Sequence, residues 1–310
     1  MTGQMIKLFS ILLCLFAFPV LAQSTCLQTA REVAPQISDE TRRDFESRLA
    51  QARENAAKNS NDVENLIWLG RRTAYLGQYK EAIRIYTEAI KTFPNDARLY
   101  RHRGHRFITL RCVDDAVADF EKAARLIKGK PDEVEPDGLP NARNIPTSTL
   151  QSNIWYHLGL AFYLKGDFRR ALKAYREAEK VSKNADMLVA TKHWIYMTLR
   201  RLGRTREANE ALAAVIDNLA IIENSDYYKL IRMYQGKLTW EALKRENETS
   251  QTSNTLSNAT LGYGVGNWLF YNGREKEAEA LFRQIVAGNQ WASFGYIAAE
   301  IELTRSFNKR

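Results

Sequence analysis

An all-α repeat solenoid is the fold class this sequence predicts, and three observations carry the prediction. Small residues recur at one spacing of 34 positions: Gly70 and Gly104, Ala82 and Ala116, Ala89 and Ala123. Apolar residues elsewhere fall at helical spacing, as in residues 39–58, where Phe45, Leu49, Ala52 and Ala56 share one face, and no strand pattern competes. The composition of 310 residues, 45% hydrophobic and 26% charged with 16 Gly and 7 Pro, supports a substantial core. It excludes a disordered or collagen-like chain. Three cysteines are too few for a disulfide scaffold or a multi-cysteine zinc protein.

Residues 1–22 read as a secretory signal peptide. Lys7 precedes an apolar run from Leu8 to Phe18, followed by Pro19 and by Val20-Leu21-Ala22 before a cleavage point. The run is shorter than the ~20 residues that span a bilayer, and no later run matches it, so the mature chain is expected to be exported, periplasmic or secreted, and not membrane-spanning. Export argues against a nucleic-acid partner despite 45 Lys+Arg against 36 Asp+Glu. The positive balance points instead to acidic peptides, wall polymers or phospholipid head groups. Cys26 and Cys112 remain after cleavage; in an oxidising compartment they either pair or stay as free thiols. Gln23-Ser24-Thr25 departs from the pattern that precedes a lipidated cysteine.

Residues 23–62 hold the leading helix, and the repeats begin at residue 63. The first unit runs Leu66, Leu69-Gly70, Gly77, Tyr79, Ala82, Tyr86, Ala89, Pro94; the third runs Trp155, Leu158-Gly159, Phe162, Gly166, Phe168, Ala171, Tyr175, Ala178. These residues and spacings resemble the tetratricopeptide repeat family, with Thr73 where the family usually has an aromatic. Repeats one and two occupy 63–128, and an insertion of about 21 residues within 129–151 explains the longer interval from Gly104 to Gly159. Repeats three and four occupy 152–222, a degenerate unit around Tyr227–Tyr234 with a polar linker fills 223–258, the last repeat spans 259–288, and residues 289–310 read as a capping helix. The resemblance implies right-handed stacked helical hairpins with a concave groove, and a scaffold rather than an enzyme.

The same resemblance implies which side chains face the groove. From the first helices they include Trp68, Arg71 and Tyr75; Arg98, Arg101, His102 and His105; Tyr156, His157 and Tyr163; His193, Trp194 and Arg200. All four histidines fall at or beside such positions. Arginine forks and aromatic faces suit a carboxylate or acidic peptide, with histidines whose charge changes near neutral pH. The expected function is an envelope scaffold that holds an acidic or carboxylate-bearing peptide of another envelope protein. An anionic glycan or lipid head group, or a histidine-dependent hydrolase, are the alternatives. Arg98, Arg101 and Arg103 also read as an ordinary solvated face.

The insertion carries 4 of the 7 prolines and an acidic first half, so it cannot continue a helix. It is either a tolerated loop or a lid, in which Asp132, Glu133, Glu135 and Asp137, with Asn141 and Arg143, fold over the basic groove. His102 and His105, three apart on one helix with His157 a hairpin away, have metal-ligand spacing, but Arg98, Arg101, Arg103 and Arg106 crowd the same turns, and no metal or cofactor is expected. Nucleophile, phosphate-loop and metalloprotease motifs are missing from the sequence, and no catalytic residue is assigned.

Overall fold

The computed structural model of the chain describes residues 25–249 and 256–307. The expected signal peptide and residues 250–255 of the polar linker lie outside the described residues. Among the described residues the fold is all-α: α1 (Thr25–Thr29), the leading helix α2 (Asp39–Lys58), then hairpins α3 (Val63–Tyr75) with α4 (Tyr79–Thr92) and α5 (Ala97–Thr109) with α6 (Val113–Ile127). After the insertion come α7 (Leu150–Lys165) with α8 (Phe168–Val181), α9 (Ala185–Arg201) with α10 (Thr205–Leu212), then α11 (Ser225–Tyr234) and α12 (Trp240–Thr249), which both pack on α13 (Leu256–Tyr271), itself paired with α14 (Glu275–Ala287). The last helix, α15 (Phe294–Glu302), runs into a π-helical turn, Leu303–Phe307. No helix among the described residues is long and apolar enough to cross a membrane.

Local sequence fixes where the first helices start. Asp62 and Asp96 accept from the backbone N–H two residues on, and Thr149 and Ser152 form a reciprocal capping box at α7. The recurring small residues have one use. A Cβ added at Gly70, Gly104, Gly159 or Gly266 would come within 2.4, 3.0, 2.6 or 2.6 Å of the ring of Tyr86, Phe120, Tyr175 or Phe282. In each case that ring lies sixteen residues later, on the second helix of the same hairpin. The bare glycine lets an aromatic ring lie flat against the neighbouring backbone, and all four rings are buried.

The hairpin turns repeat as well. Gly77, Gly166, Gly203 and Gly273 take φ between 74 and 82°, the left-handed region that ends a helix without a Cβ penalty. The second hairpin has Arg111 there, at φ 64°. A non-glycine residue in that conformation costs about 1 kcal/mol, and its side chain shows what offsets the strain. Arg111 Nε donates to Glu300 on α15 at 2.7 Å, its Nη2 donates to the Trp291 carbonyl at 3.0 Å, and its guanidinium lies 3.9 Å from the Trp291 ring centre.

The C-terminal helix therefore does more than cap the last hairpin. It packs on α13 and α14, but it also lies inside the curve, where Phe294 meets the rings of His105 and His157 at 5.2 and 5.4 Å. Its end is held by charge. Glu302, fully buried, takes Arg201 at 3.1 Å, Ser306 Oγ at 3.1 Å, and Arg305. Replacing Glu302 with Gln keeps the volume and leaves two arginines without their counter-charge. A loss of about 2 kcal/mol is expected, measured by chemical denaturation; an unchanged midpoint would show that the clamp contributes nothing.

The N-terminal segment is tied to the same region. Cys26 and Cys112 form a disulfide with Cα atoms 5.6 Å apart, joining α1 to the start of α6 across 86 residues and deciding between the pairing and free-thiol readings. From there residues 30–37 run as an irregular strap over the first hairpin. Glu32 accepts from Lys80 N at 2.7 Å, and a Cβ at Gly77 would strike Ala34 and Pro35 at 2.6 Å. Asn289 Nδ2 donates to Gln36 Oε1 at 2.8 Å, so the two ends of the described chain touch.

Candidate functional site

The groove positions converge between α3, α5 and α7, but they are roofed over. Residues 128–149 form an ordered loop fastened by a single antiparallel bridge, Val134 with Thr149, and by Leu150 N donating to the Glu133 carbonyl at 2.9 Å. Arg72 Nη1 donates to the Gly138 carbonyl at 2.9 Å on one side of the groove. On the other, Asn184 Nδ2 donates to the Thr147 carbonyl at 2.7 Å, and Glu223 accepts from Asn141 and Thr147. The loop thus runs from Arg72 on α3 to Asn184 and Glu223 on the far side.

Only part of its acidic half enters the groove. Glu135, 8% exposed, pairs with Arg101 at 2.8 Å, faces His102 Nε2 at 3.8 Å and accepts from Asn153 Nδ2 at 3.1 Å. Asp137 follows, half-buried and with Oδ2 enclosed and unbonded. Asp132 instead accepts from Thr149 Oγ1 and Gln151 N, helping to start α7, and Glu133 and Arg143 are exposed. Reading all four acids as one groove-facing set is therefore corrected: Glu135 and Asp137, two apart, share the covered side, whereas Asp132 is drawn off to the start of α7 and Glu133 stays exposed.

Beneath the lid lies a cationic and aromatic cluster. Arg71 Nε donates to Tyr75 Oη at 3.4 Å, and Arg101 Nη1 donates to His102 Nδ1 at 3.0 Å, which leaves the His102 proton on Nε2, toward Glu135. His102 stacks on Tyr86, and the His105 and His157 rings lie 4.8 Å apart. His157 Nδ1 donates to the Asn153 carbonyl at 2.6 Å. Tyr156 closes this side, its hydroxyl donating to Tyr227 Oη at 3.2 Å. Arg98 sits at the rim, paired with Asp96 and Glu64 at 2.6 and 3.0 Å.

Other groove positions are not brought to this cluster. Trp68 lies under Arg71 and Arg72 at 4.4 and 4.7 Å and faces α2 across a cavity shared with Arg48 and Asn55. Tyr163, His193 and Trp194 belong to the core between the later hairpins. Tyr163 Oη accepts from Asn267 and Tyr263, and the His193 ring packs against Tyr227 and Tyr234 at 4.9 and 5.8 Å. Arg200 points to Tyr271, with its guanidinium 4.4 Å from the ring centre.

Burial sets the electrostatics. Taken out of water, the histidines are held neutral: His157 and His193 are pushed down to about 3, and His102 and His105 well below the usual histidine value, with Arg101 and Arg106 the next largest influences on His102 and His105 respectively. The expectation of histidines that change charge near neutral pH is corrected. Burial also lowers Arg101 and Arg106, against Glu135 for the first and Tyr86 for the second, yet both guanidiniums stay charged. The only His/Cys/Asp/Glu group close enough to share an ion among the described residues is Cys26, Cys112 and Asp115, whose two sulfurs are already bonded to each other.

Sequence reasoning named Arg106 only as a charge crowding the histidines and passed over Arg111, Asn289, Gln290 and Trp291 as site residues. Arg111 had a signal: position 111 is one period after Gly77, and an arginine where glycine is expected marks a turn whose side chain has work elsewhere.

Residues 69–131 and 152–185 each match a family model described as tetratricopeptide repeat. Over 137 residues the chain is 29% identical to the BBSome complex member BBS4 of Bos taurus, a match covering 44% of this chain and 22% of that protein. The chain therefore spans about a fifth of the length of that curated relative. Among solved structures, YrrB, described as a tetratricopeptide repeat protein with an unusual peptide-binding site, is 15% identical with a TM-score of 0.43, covering 80% of this chain and 95% of its own. MamA is 16% identical with a TM-score of 0.43, covering 65% and 97%.

Proposed function

This chain is a tetratricopeptide repeat protein, a scaffold for protein–protein interaction, and from that premise we propose that it is an exported adaptor whose groove takes an acidic or carboxylate-bearing peptide in place of its own lid. The observation that supports this is the Glu135 carboxylate seated on Arg101 and beside His102. A loop residue supplies there the charge that a bound peptide would bring. The fit is incomplete, since Arg101 Nε and Asp137 Oδ2 stay enclosed without partners. A ligand that satisfies them gains over the lid, because a buried polar group left unbonded costs about 1–3 kcal/mol.

Export rests on the leader-like residues 1–22 and is supported by the Cys26–Cys112 disulfide, a bond that persists in oxidising compartments. The envelope partner is accordingly expected among exported proteins.

The lid variants test the reading. In Glu135→Gln the competitor loses its charge, and in Gly138→Ala the new Cβ would meet Tyr75 Oη at 1.6 Å and lift the loop. Both should bind a fluorescein-labelled acidic peptide with a free C-terminus more tightly, by about tenfold for the loss of one charge-assisted hydrogen bond. Arg101→Gln/Glu135→Gln, which removes both partners of the pair, should bind it weakly. Fluorescence anisotropy on variants shown folded by circular dichroism gives the answer; equal affinity for wild type and both lid variants would end the competition model.

A further inference from the structure

A second site lies where the two ends of the described chain meet. The strap, the first hairpin, the lid tip and residues 289–293 enclose a cavity of about 370 Å³, at the small end of the ligand-cavity range of about 300–1,000 Å³. Its aromatic walls are Tyr79 stacked with Trp291, centroids 6.0 Å apart, and Tyr75 backed by Phe45 at 5.9 Å.

Three polar groups on this wall lack partners that the rest of the molecule would lead one to expect. The first is Arg106. Four largely buried guanidiniums each hold a carboxylate, Arg101 with Glu135, Arg103 with Asp119, Arg111 with Glu300 and Arg201 with Glu302, whereas Arg71 has only the Tyr75 hydroxyl. Arg106 has no carboxylate within ion-pair distance among the described residues; it lies 5.8 Å from the Tyr79 ring centre and lines the cavity. The other two are Gln290 Nε2 and Asn289 Oδ1, both enclosed and unbonded. Their sister amide atoms are fixed, Gln290 Oε1 accepting from Ala259 N at 2.8 Å and Asn289 Nδ2 donating to Gln36, so neither amide can turn without breaking a bond.

We infer that this cavity binds a small apolar hydroxycarboxylic acid, one with an aromatic or branched aliphatic body. The carboxylate answers Arg106 and the Gln290 donor, since a buried guanidinium is worth most when paired. The body lies between the Tyr79/Trp291 and Tyr75 faces. Asn289 Oδ1 calls for a donor on the ligand. That donor is a hydroxyl rather than an ammonium, because the cavity lining contains Arg106 and no carboxylate to offset a second positive charge. This site is separate from the lid-covered groove and does not rest on the peptide reading.

Trp291 in the wall supplies the readout, its fluorescence changing as a ligand replaces water. Three probes are titrated into the mature chain with its disulfide intact: 2-hydroxy-3-phenylpropanoate, its neutral amide, and a tripeptide ending in phenylalanine with a free carboxylate. Saturable binding of the acid, at least tenfold tighter than the amide and the tripeptide, is expected. Arg106→Gln should lower the affinity for the acid at least tenfold. Leu139→Trp, at an exposed lid position facing the cavity, should block it by filling space without touching the charge, so a folding defect in one variant does not decide the matter. Arg101→Gln/Glu135→Gln should leave acid binding unchanged, which separates this site from the groove. Equal affinity for acid and amide, tighter binding of the tripeptide, or no binding of the acid at millimolar concentration would each overturn the inference.

Discussion

Between pH 7 and pH 5 the protein is expected to lose about 4 kcal/mol of stability through His157 and His193 alone, with His102 and His105 adding in the same direction. The sign follows from burial. Unfolded, these rings take a proton near 6.5; folded, His157 and His193 resist it until about 3. Over the interval between, the unfolded state binds more protons, so the stabilisation is complete above 6.5 and is withdrawn as pH falls toward 3. Each ring gives a slope approaching 1.4 kcal/mol per pH unit, or about 2 kcal/mol by pH 5.

The surroundings of each ring reinforce this. His157 faces Arg101 and Arg106, His102 faces Arg101, Arg71, Arg106 and Arg98 with Glu135 opposite, and His105 faces Arg106, Arg101, His102 and His157. His193 sits among tyrosines, and desolvation alone lowers it. Asp119 and Asp137, raised by burial, act in the opposite sense over the carboxylate range. Guanidinium denaturation at the two pH values measures the loss. His193→Phe should remove about 2 kcal/mol of the difference, and a stability that stays flat from pH 7 to pH 5 would mean the rings are hydrated.

Reduction of the Cys26–Cys112 disulfide is expected to cost about 4–5 kcal/mol, the chain-entropy value for closing a loop of this length. For a chain of this size that is a fall in Tm on the order of 10 °C. The local structure gives no substitute for the bond. Helix α1 has five residues, none of them buried, so nothing but the sulfur bridge and a few partly buried contacts holds it to α6. The two single variants supply a sharp comparison, because Cys112 is 1% exposed whereas Cys26 is partly exposed. If the bond forms, Cys26→Ser and Cys112→Ser destabilise nearly equally, and thiol titration of the unfolded wild type finds no reactive sulfur from this pair. Were Cys26→Ser silent under oxidising conditions, the tether would be refuted.

The hairpins were legible because repeat contacts are short in sequence. Gly70 with Tyr86 and Gly159 with Tyr175 belong to single hairpins, and both members recur with the period, so spacing alone exposes them. The leading helix at 39–58 is found where its apolar face places it. What spacing cannot report is contact without a period. The pairs that close the site, Arg101 with Glu135, Arg111 with Glu300 and Gln36 with Asn289, join a repeat to an insertion or one end of the chain to the other. Of the expected inward positions, Arg101, His102 and His157 meet beneath the loop, while His193 is buried by Tyr227 and Tyr234 of α11. That burial, not the residue type, turns the histidines from switches into neutral core residues.

The clasp at Arg111 changes how such an array comes apart. A stack of hairpins whose units touch only their neighbours behaves as a line of coupled elements: it frays from its ends, and removing a terminal unit leaves the remainder standing. Here the strained arginine of the second hairpin grips Trp291 and Glu300, while Phe294 stands between His105 and His157. The line is bent into a ring, and a ring has no ends from which to fray. Opening the last helix exposes the first two hairpins at once, so the protein trades the graded unzipping of an open array for a single all-or-none transition. Its C-terminal residues act as the keystone of its N-terminal half.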